Sequence, residues 1–591
     1  MRGKTRIFHL PVINYLLLFI FLLTAGFFLL ASDYVLSFQK EQYLFIFSIE
    51  QLKSFFLVPG GILELAGKFL TQFYSIKIPG ALLLGAVLTT PGIIMVSINR
   101  ILGFNTKTSI ILPVVASCLL FLMQTHYYHL MEYNLGYISI LLLFYISVKL
   151  VLSGNHWFIL VVFPFFCYIA GGTYSLIFLA MYLIFLMVYD RGIQRFIFYS
   201  LIIIVTTVTF LVFRDVLFLL PPQKLLLNAA PVVNDQFHRA VFFILTAFLV
   251  IYPLLTRAIS APQIIKKIDT KLFSSVVALI IIALTAFIAF RFYNKQTRRV
   301  VTIQDLAYEG KWNELIDYQE KYPSVNLVGQ YFYNVALTET GQLCNRLFEG
   351  RQDFHETSLM LPWKDDYLSW GGYSFYSAGL INEAHRWAYE EMVVYTMRPH
   401  NIMMLAKTNL INRNTAMAEK YLGLLKRTIF YRKWAQRYEA YATDTTKISA
   451  DTELNAKTAL IPQKNFFVYL ESPEANLPKL FEANKRNSVA FEYMMAYMML
   501  TKNVEALANN VHFMNSLGYK SIPRHIEEAI LIWYNAKKEY PDLGGLSVSA
   551  ATQNRFNAYF NAYLKARNNP STMKEALRPF ANTFWYYYHF N

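Results

Sequence analysis

The chain has 591 residues, of which 55% are hydrophobic and 16% charged, and its net charge is +16. A charged fraction so far below the roughly 25% of soluble proteins excludes a wholly soluble or disordered chain. Residues 1–291 hold 20 of the 54 lysines and arginines but only 9 of the 38 acids. Charges of this sign in apolar sequence indicate membrane topology and contact with anionic lipids, so we expect no nucleic-acid partner.

Nine apolar segments in residues 1–291 are each close to the roughly 20 residues that cross a bilayer as a helix. The first follows a short basic start and is predicted to be an uncleaved signal-anchor helix. The fifth and sixth are separated only by Gly171 and Gly172, so they form either a tight hairpin or one broken pair. The segments run approximately over 11–31, 78–98, 108–124, 134–151, 156–170, 173–189, 195–219, 239–256 and 272–290.

Positive charges predict the orientation of these segments, because lysine and arginine accumulate on the cytoplasmic side. We expect a multi-pass protein of the inner (cytoplasmic) membrane with a cytoplasmic N-terminus. An odd number of spans then makes residues 292–591 an extracytoplasmic domain. The residues that carry this prediction are Arg2, Lys4, Arg6, Arg100, Lys107, Arg191, Arg195, Arg257, Lys266, Lys267 and Lys271.

The first predicted outer loop, 32–77, is long and partly apolar. Residues 42–57 and 61–74 have the pattern of amphipathic helices, and Pro59-Gly60-Gly61 separates them. Each is too short to span the bilayer, so both are predicted to lie in the membrane interface with their apolar faces down. Helices packed into the membrane domain as re-entrant segments are the alternative.

Residues 292–591 show helical periodicity and little strand pattern, so the predicted fold class is all-α throughout the chain. Ala384 and Ala418 are 34 residues apart, as are Ala388 and Leu422. This period resembles that of tetratricopeptide repeats, which implies stacked helical hairpins that bind a protein or glycan partner. The alternative is an irregular helical lid on the membrane half. The aromatic tail 584–590 lies either at the lipid interface or in the last groove of the array.

The predicted topology places several ionisable residues on the outer side. Arg214 and Asp215 lie in apolar sequence, and as neighbours on a helix they point about 100° apart, so we expect each to have another partner. His126, His129 and Glu132 are spaced for a metal site, but the tyrosines beside them favour an aromatic belt. We therefore expect no metal and no cofactor. The candidate site residues are Asp33 and Glu41 for catalysis, and Arg214, Asp215, His238 and Arg239 for substrate binding.

This layout resembles the membrane glycosyltransferases of the GT-C fold. The resemblance implies transfer of a sugar from a polyprenyl-phosphate donor at the outer face. Asp33, with Glu41 as runner-up, would then deprotonate the acceptor hydroxyl, and Arg214 or Arg239 would hold the donor phosphate. The paired acids of many such enzymes are replaced here by the single Asp33. A structural acid at this position is the alternative.

The chain also resembles an uncharacterised family of bacterial polytopic membrane proteins. The shared elements are Pro59-Gly60-Gly61 and the stretch 69–74 that follows. This resemblance covers most of the chain and implies contact with membrane lipids but no particular activity. A non-enzymatic scaffold or assembly protein of the cell envelope is therefore the alternative to the transferase, and a transporter is a third reading.

Overall fold

The computed structural model describes residues 12–103, 110–155, 157–189, 194–228, 230–259 and 271–591. The regular structure in these ranges is helical and contains no strand, which confirms the predicted all-α fold class. The chain divides into two compact units, Met1–Tyr293 and Asn294–Asn591. Several residues that predict the orientation lie outside the described residues: Arg2, Lys4, Arg6, Lys107, Arg191, Lys266 and Lys267.

Seven helices of the described ranges are long and apolar enough to cross a membrane, which supports a multi-pass membrane protein. These seven helices account for eight of the nine predicted segments, because two segments are merged in α8, and the ninth segment is the shorter apolar helix α6 of 14 residues. The helices of the first unit are α1 (Val12–Gly26, continued by a π-helical turn Phe27–Ala31), α2 (Asp33–Lys40), α3 (Ile49–Phe55), α4 (Gly61–Thr71), α5 (Lys77–Ile101), α6 (Ile111–Gln124), α7 (Met131–Leu152), α8 (Phe158–Tyr189), α9 (Gln194–Val212), α10 (Pro222–Leu226), α11 (Gln236–Ile259) and α12 (Lys271–Arg291).

Helix α8 folds back on itself at Gly171, whose backbone has φ 80° and ψ 175°. The rings of Phe163 and Phe178 lie with their centroids 6.2 Å apart. In a straight helix, with about 1.5 Å of rise per residue, these two residues would be roughly 22 Å apart. The predicted fifth and sixth segments therefore form the tight hairpin.

Four of the segments that join these helices or the two halves of α8 gather at one end of the first unit, which we call the loop face. It consists of residues 32–76, 125–130, 171–172, 218–228 and 230–235, together with the ends of the adjoining helices. The chain leaves the unit at this same end after α12. Contacts that join these segments are Asp33–Lys77, Gln39–His129, Gly60–Tyr168, Tyr168–Phe218 and Phe237–Phe292.

The loop 32–76 differs in detail from its prediction. Ser48 caps α3 by accepting the backbone N–H of Gln51 at 3.2 Å, so the helix begins seven residues later than the amphipathic pattern indicates. The Gln51 side chain accepts the backbone N–H of Ile46 at 2.7 Å, and the segment 43–48 that precedes α3 is neither helix nor strand. Helix α4 packs against α7, where a Cβ on Gly67 would meet the backbone N of Glu132 at 2.6 Å.

The regular structure of the second unit is helical, with irregular segments such as 461–472 and 538–549 between helices. Their bounds are α13 (Lys295–Tyr308), α14 (Trp312–Lys321), α15 (Leu327–Glu339), α16 (Leu343–Arg346), α17 (Gly372–Ala378), α18 (Ile381–Tyr395), α19 (Pro399–Ile411), α20 (Thr415–Lys426), α21 (Arg432–Thr443), α22 (Thr452–Leu460), α23 (Asn476–Ala483), α24 (Ser488–Leu500), α25 (Val504–Asn510), α26 (Phe513–Ser516), α27 (Arg524–Lys537), α28 (Ala550–Ala566), α29 (Pro570–Ala576) and α30 (Phe584–Phe590).

Helices α18 to α21 pack each against the next in chain order. Ala384 and Ala418 are fully buried at equivalent positions, four residues into α18 and α20. The 34-residue period of the sequence thus corresponds to equivalent helices in this stretch, while the tetratricopeptide resemblance itself stays a prediction. The tail helix α30 packs inside the second unit, because Trp585 is buried and its indole N–H donates to the Glu528 carbonyl at 2.7 Å.

Candidate functional site

A cluster of two histidines and an aspartate lies on the loop face. Asp235 precedes α11 and its Oδ1 accepts the backbone N–H of His238 at 2.9 Å, as a helix-capping carboxylate does. This cap places His238 in the first turn of α11, where its ring contacts the same carboxylate. His126 comes from the other side, from the short loop that follows α6. Two segments more than 100 residues apart in sequence therefore supply the cluster.

The three side chains converge on one carboxylate oxygen. Asp235 Oδ2 is 2.8 Å from His238 Nδ1 and 3.3 Å from His126 Nε2. The centroids of the two imidazole rings are 4.8 Å apart. One potential ligand atom from each residue lies within 4.8 Å of the other two, so within the described residues this group is spaced to hold a metal ion.

The cluster is buried on its histidine side and open on its aspartate side. The side chains of His126 and His238 are 11% and 10% exposed, whereas that of Asp235 is 43% exposed. Burial, with a smaller effect from His238, lowers the pKa of His126 to about 4 although Asp235 opposes the shift. Burial opposes ionisation of Asp235, but the His238 backbone N–H and the two imidazoles outweigh it and lower its pKa. At neutral pH a carboxylate therefore faces a neutral His126 imidazole.

A buried hydrogen-bond network fixes the loop that carries His126. The His129 carbonyl accepts amide N–H groups from Gln39 of α2 at 2.9 Å and from Gln124 of α6 at 3.0 Å. Asn134 of α7 donates to Gln124 at 2.5 Å, and its carbonyl oxygen lies 3.1 Å from His129 Nε2. Three helices thus hold the turn between α6 and α7 in one conformation.

The grouping of His126, His129 and Glu132 that their spacing suggests is not formed. His129 lies in the network with Asn134, and burial lowers its pKa to about 3. Glu132 is the second residue of α7 and lies against Gly67 of α4. The residues from 126 to 130 form a turn rather than a helix, so a three-residue spacing does not bring these side chains to one side.

The two candidate catalytic acids lie at opposite ends of α2. Asp33 begins the helix, is 20% exposed, and its Oδ2 lies 3.2 Å from Lys77 Nζ. Lys77 begins α5 and is 64% exposed. Glu41 caps the C-terminal end of α2 and is half-buried. Lys77 is the partner that the sequence does not reveal, because the two residues are 44 positions apart and no local pattern links them.

The expectation that Arg214 and Asp215 do not pair with each other is wrong. The Arg214 guanidinium donates to both carboxylate oxygens of Asp215, at 2.6 and 2.7 Å. Both residues lie in the π-helical turn Phe213–Leu217, and both side chains are about half exposed. Because Arg214 is half exposed, its long side chain can bend toward Asp215 and contact it. The separation of about 100° between the two Cα–Cβ directions does not prevent this contact.

The predicted site residues therefore fall into separate groups. Asp33 contacts Lys77, Arg214 contacts Asp215, and His238 contacts Asp235 and His126. Arg239 is exposed and follows His238 directly in α11. The sequence predicts that His126 and Asp235 lie on the same side of the membrane. This predicted topology is the sequence feature that points to a contact between them.

The comparison with protein-family models identifies the relatives of this chain. A family of unknown function, DUF6057, matches residues 8–591. The chain belongs to this family. The predicted resemblance to an uncharacterised family is thereby confirmed, and DUF6057 membership assigns no activity. Searches of curated proteins and of solved structures find no significant match.

The Pro-Gly-Gly element of this DUF6057 member lies at a junction of glycines on the loop face. Gly60 has φ 80°, its N–H donates to the Tyr168 carbonyl at 2.7 Å, and a Cβ on it would lie 3.4 Å from Gly171. The Asn228 amide donates to the Pro59 carbonyl. A Cβ on Gly172 would meet the Leu225 carbonyl oxygen at 2.2 Å. These glycines allow backbones to approach closely, so they need no phosphate ligand to explain them.

Proposed function

We propose that the protein is a membrane-embedded transferase that moves a sugar from a polyprenyl-phosphate carrier to a hydroxyl acceptor on the loop face. The observation that carries this proposal is the position of Asp33. Its carboxylate lies just beyond the end of the first membrane helix and is largely buried beside Lys77. A lipid carrier would deliver its phosphate–sugar bond to this same depth, at the boundary between apolar helices and polar loops.

Asp33 would act as the general base. It takes the proton of the acceptor hydroxyl as the acceptor oxygen bonds to the anomeric carbon of the sugar. The bond between that carbon and the carrier phosphate breaks, and the phosphate leaves with the electron pair. We assign the leaving phosphate to Arg239, which is exposed. Arg214 is less suited to this role because Asp215 already accepts both of its hydrogen bonds.

We expect Asp33→Asn to lower the yield of the transferred glycan by at least about a hundredfold, since loss of a general base costs roughly 10²–10⁴ in rate. The amide keeps the shape of the side chain but cannot accept the proton. The measurement is the glycan profile of a gene-deleted strain that carries each variant at matched membrane protein levels. Glu50→Gln in the same loop is the matched control, and Glu41→Gln tests the runner-up base.

Two outcomes would count against this assignment. If Asp33→Asn at normal protein levels gives wild-type glycans, Asp33 is not the base. If only Glu41→Gln abolishes the glycan, Glu41 is the base instead. Glycans that are the same with and without the gene would remove the transferase proposal itself.

A cell-envelope scaffold is the second candidate, and the second unit favours it. The stacked helices α18 to α21, with their 34-residue offset, are the kind of array that binds a protein or glycan partner. A scaffold predicts that deletion of residues 294–591 reproduces the full gene deletion while Asp33→Asn has no effect. The transferase predicts a strong effect of Asp33→Asn in the intact chain.

A further inference from the structure

We propose that His126, Asp235 and His238 bind one divalent transition-metal ion, with Zn²⁺ as the expected ion. Neutral imidazoles and a carboxylate are the ligands that Zn²⁺ takes in proteins, and two histidines with one carboxylate leave coordination positions open. This site goes beyond the proposed transfer reaction, because none of the three residues acts as its base and metal binding needs no sugar substrate.

The distances within the cluster are compatible with a shared ion. Ligand atoms about 2.1 Å from a tetrahedral metal are about 3.4 Å from one another. Asp235 Oδ2 lies 2.8 Å from one imidazole nitrogen and 3.3 Å from the other. The longer distance exceeds the usual N–H···O range of 2.7–3.2 Å. All three ligand atoms lie within 4.8 Å, so a shift of about 1 Å in the side chains would complete the site.

The hydrogen bonds of Thr125 bear on the tautomer of His238. The Thr125 hydroxyl donates its one proton to the Leu122 carbonyl at 2.7 Å, and its oxygen lies 2.9 Å from His238 Nε2. With a metal ion bound, that oxygen would accept from Nε2–H, so that the Nδ1 lone pair of a neutral ring faces the ion beside Asp235 Oδ2. Nδ1 and Asp235 Oδ2, 2.8 Å apart, would then both offer a lone pair to the same cation. Thr125 thus plays the part of the partner that orients a metal-bound histidine.

The two oxygens of Asp235 have separate tasks. Oδ1 caps α11 through the His238 backbone N–H, and Oδ2 is directed at both imidazoles. The capping bond fixes the carboxylate relative to His238, so the two ligands from α11 are preorganised. Because the aspartate side of the cluster is exposed, the open coordination positions face solvent. A water molecule or an anionic oxygen ligand such as phosphate fits there.

The test is Zn²⁺ binding by the intact chain in detergent, measured by metal analysis and by calorimetric titration of chelator-treated protein. We expect one Zn²⁺ per chain. We also expect Co²⁺ to bind at the same stoichiometry with the visible absorption of a four- or five-coordinate ion. Binding of no Zn²⁺ above the background of the buffer would overturn the proposal.

Ligand variants test whether the cluster is the site. Asp235→Asn, His126→Gln and His238→Gln should each weaken Zn²⁺ binding by at least about tenfold to a hundredfold. Asp215→Asn on the same face and His512→Gln in the second unit are the matched controls and should bind as wild type. Asp235→Asn retains a capping side chain, and continued protection of the buried thiols of Cys118 and Cys167 shows that each variant is folded. Equal binding by the ligand variants and the controls would also overturn the proposal.

Discussion

Replacing Gly172 by alanine is expected to destabilise the first unit by about 3 kcal/mol, at the upper end of overpacking effects. The added Cβ would lie 2.2 Å from the Leu225 carbonyl oxygen and 2.9 Å from two backbone atoms of Leu226. These are backbone atoms, so no side-chain rotation relieves the clash. The hairpin in α8 or helix α10 has to move, and the hydrogen bonds of the glycine junction move with it.

The buried cysteines provide a measurement for each unit separately. Cys167 lies in the first half of α8 and Cys344 in the second unit, and both are buried. In Gly172→Ala we expect thiol labelling of Cys167 in detergent to accelerate on the order of a hundredfold, since 1.4 kcal/mol is a factor of ten. Labelling of Cys344 should not change. Gly26→Ala, where the added Cβ has nothing within 4 Å, is the control. Equal labelling rates of Cys167 in Gly172→Ala and Gly26→Ala would mean that the glycine junction accommodates the added methyl group without loss of stability.

Glu528→Gln is expected to destabilise the second unit by about 3 kcal/mol, because it removes a fully buried carboxylate that pairs with Arg524, whose Nε lies 3.1 Å away. Glu528 and His525 are fully buried, with Glu528 Oε2 2.9 Å from His525 Nδ1. The same oxygen accepts the backbone N–H of Phe584 at 2.7 Å, so the carboxylate also holds the tail helix α30 in place. A glutamine of equal size cannot accept all of these donors, because half of its amide is itself a donor.

The measurement is the labelling rate of Cys344, with Cys118 and Cys167 as internal references. Glu575→Gln is the control, since its ion pair with Arg578 is largely exposed and should contribute nothing measurable. Burial opposes ionisation of Glu528, but His525, the Phe584 N–H and Arg524 outweigh it and lower its pKa. A lowered carboxyl pKa stabilises the fold above the ordinary value of about 4.3, so the difference between wild type and variant should shrink as pH falls below that value. A pH-independent difference would contradict this account.

The membrane helices are well predicted from the sequence because a single physical quantity, the length of an apolar run, determines them. The segment predicted over 134–151 is the helix Met131–Leu152. Amphipathic periodicity is a weaker guide. Residues 42–57 carry the pattern, yet the helix is confined to Ile49–Phe55 because side-chain hydrogen bonds from Ser48 and Gln51 compete with helical ones.

The candidate site is predicted less completely, because its contacts join distant parts of the chain. His126 and Asp235 are 109 positions apart, and only the order of the helices brings their loops together. Local spacing instead groups His126 with His129. These two side chains do not form a common site, because His129 lies in a turn and its ring contacts Asn134. The ion pair of Arg214 and Asp215 depends on side-chain rotamers at an exposed position, which helix geometry does not determine.

The reversal of α8 at Gly171 determines whether the chain crosses the first unit an odd or an even number of times. With the reversal, the chain passes from one end of the bundle to the other an odd number of times between Val12 and Arg291 within the described ranges. A straight α8 would make that number even and would return the chain to the end where it began. Single cysteines placed at Val12 and at Tyr293 should therefore react with a membrane-impermeant reagent from opposite sides of sealed vesicles. One residue with a positive φ thus decides which compartment receives everything that follows α12.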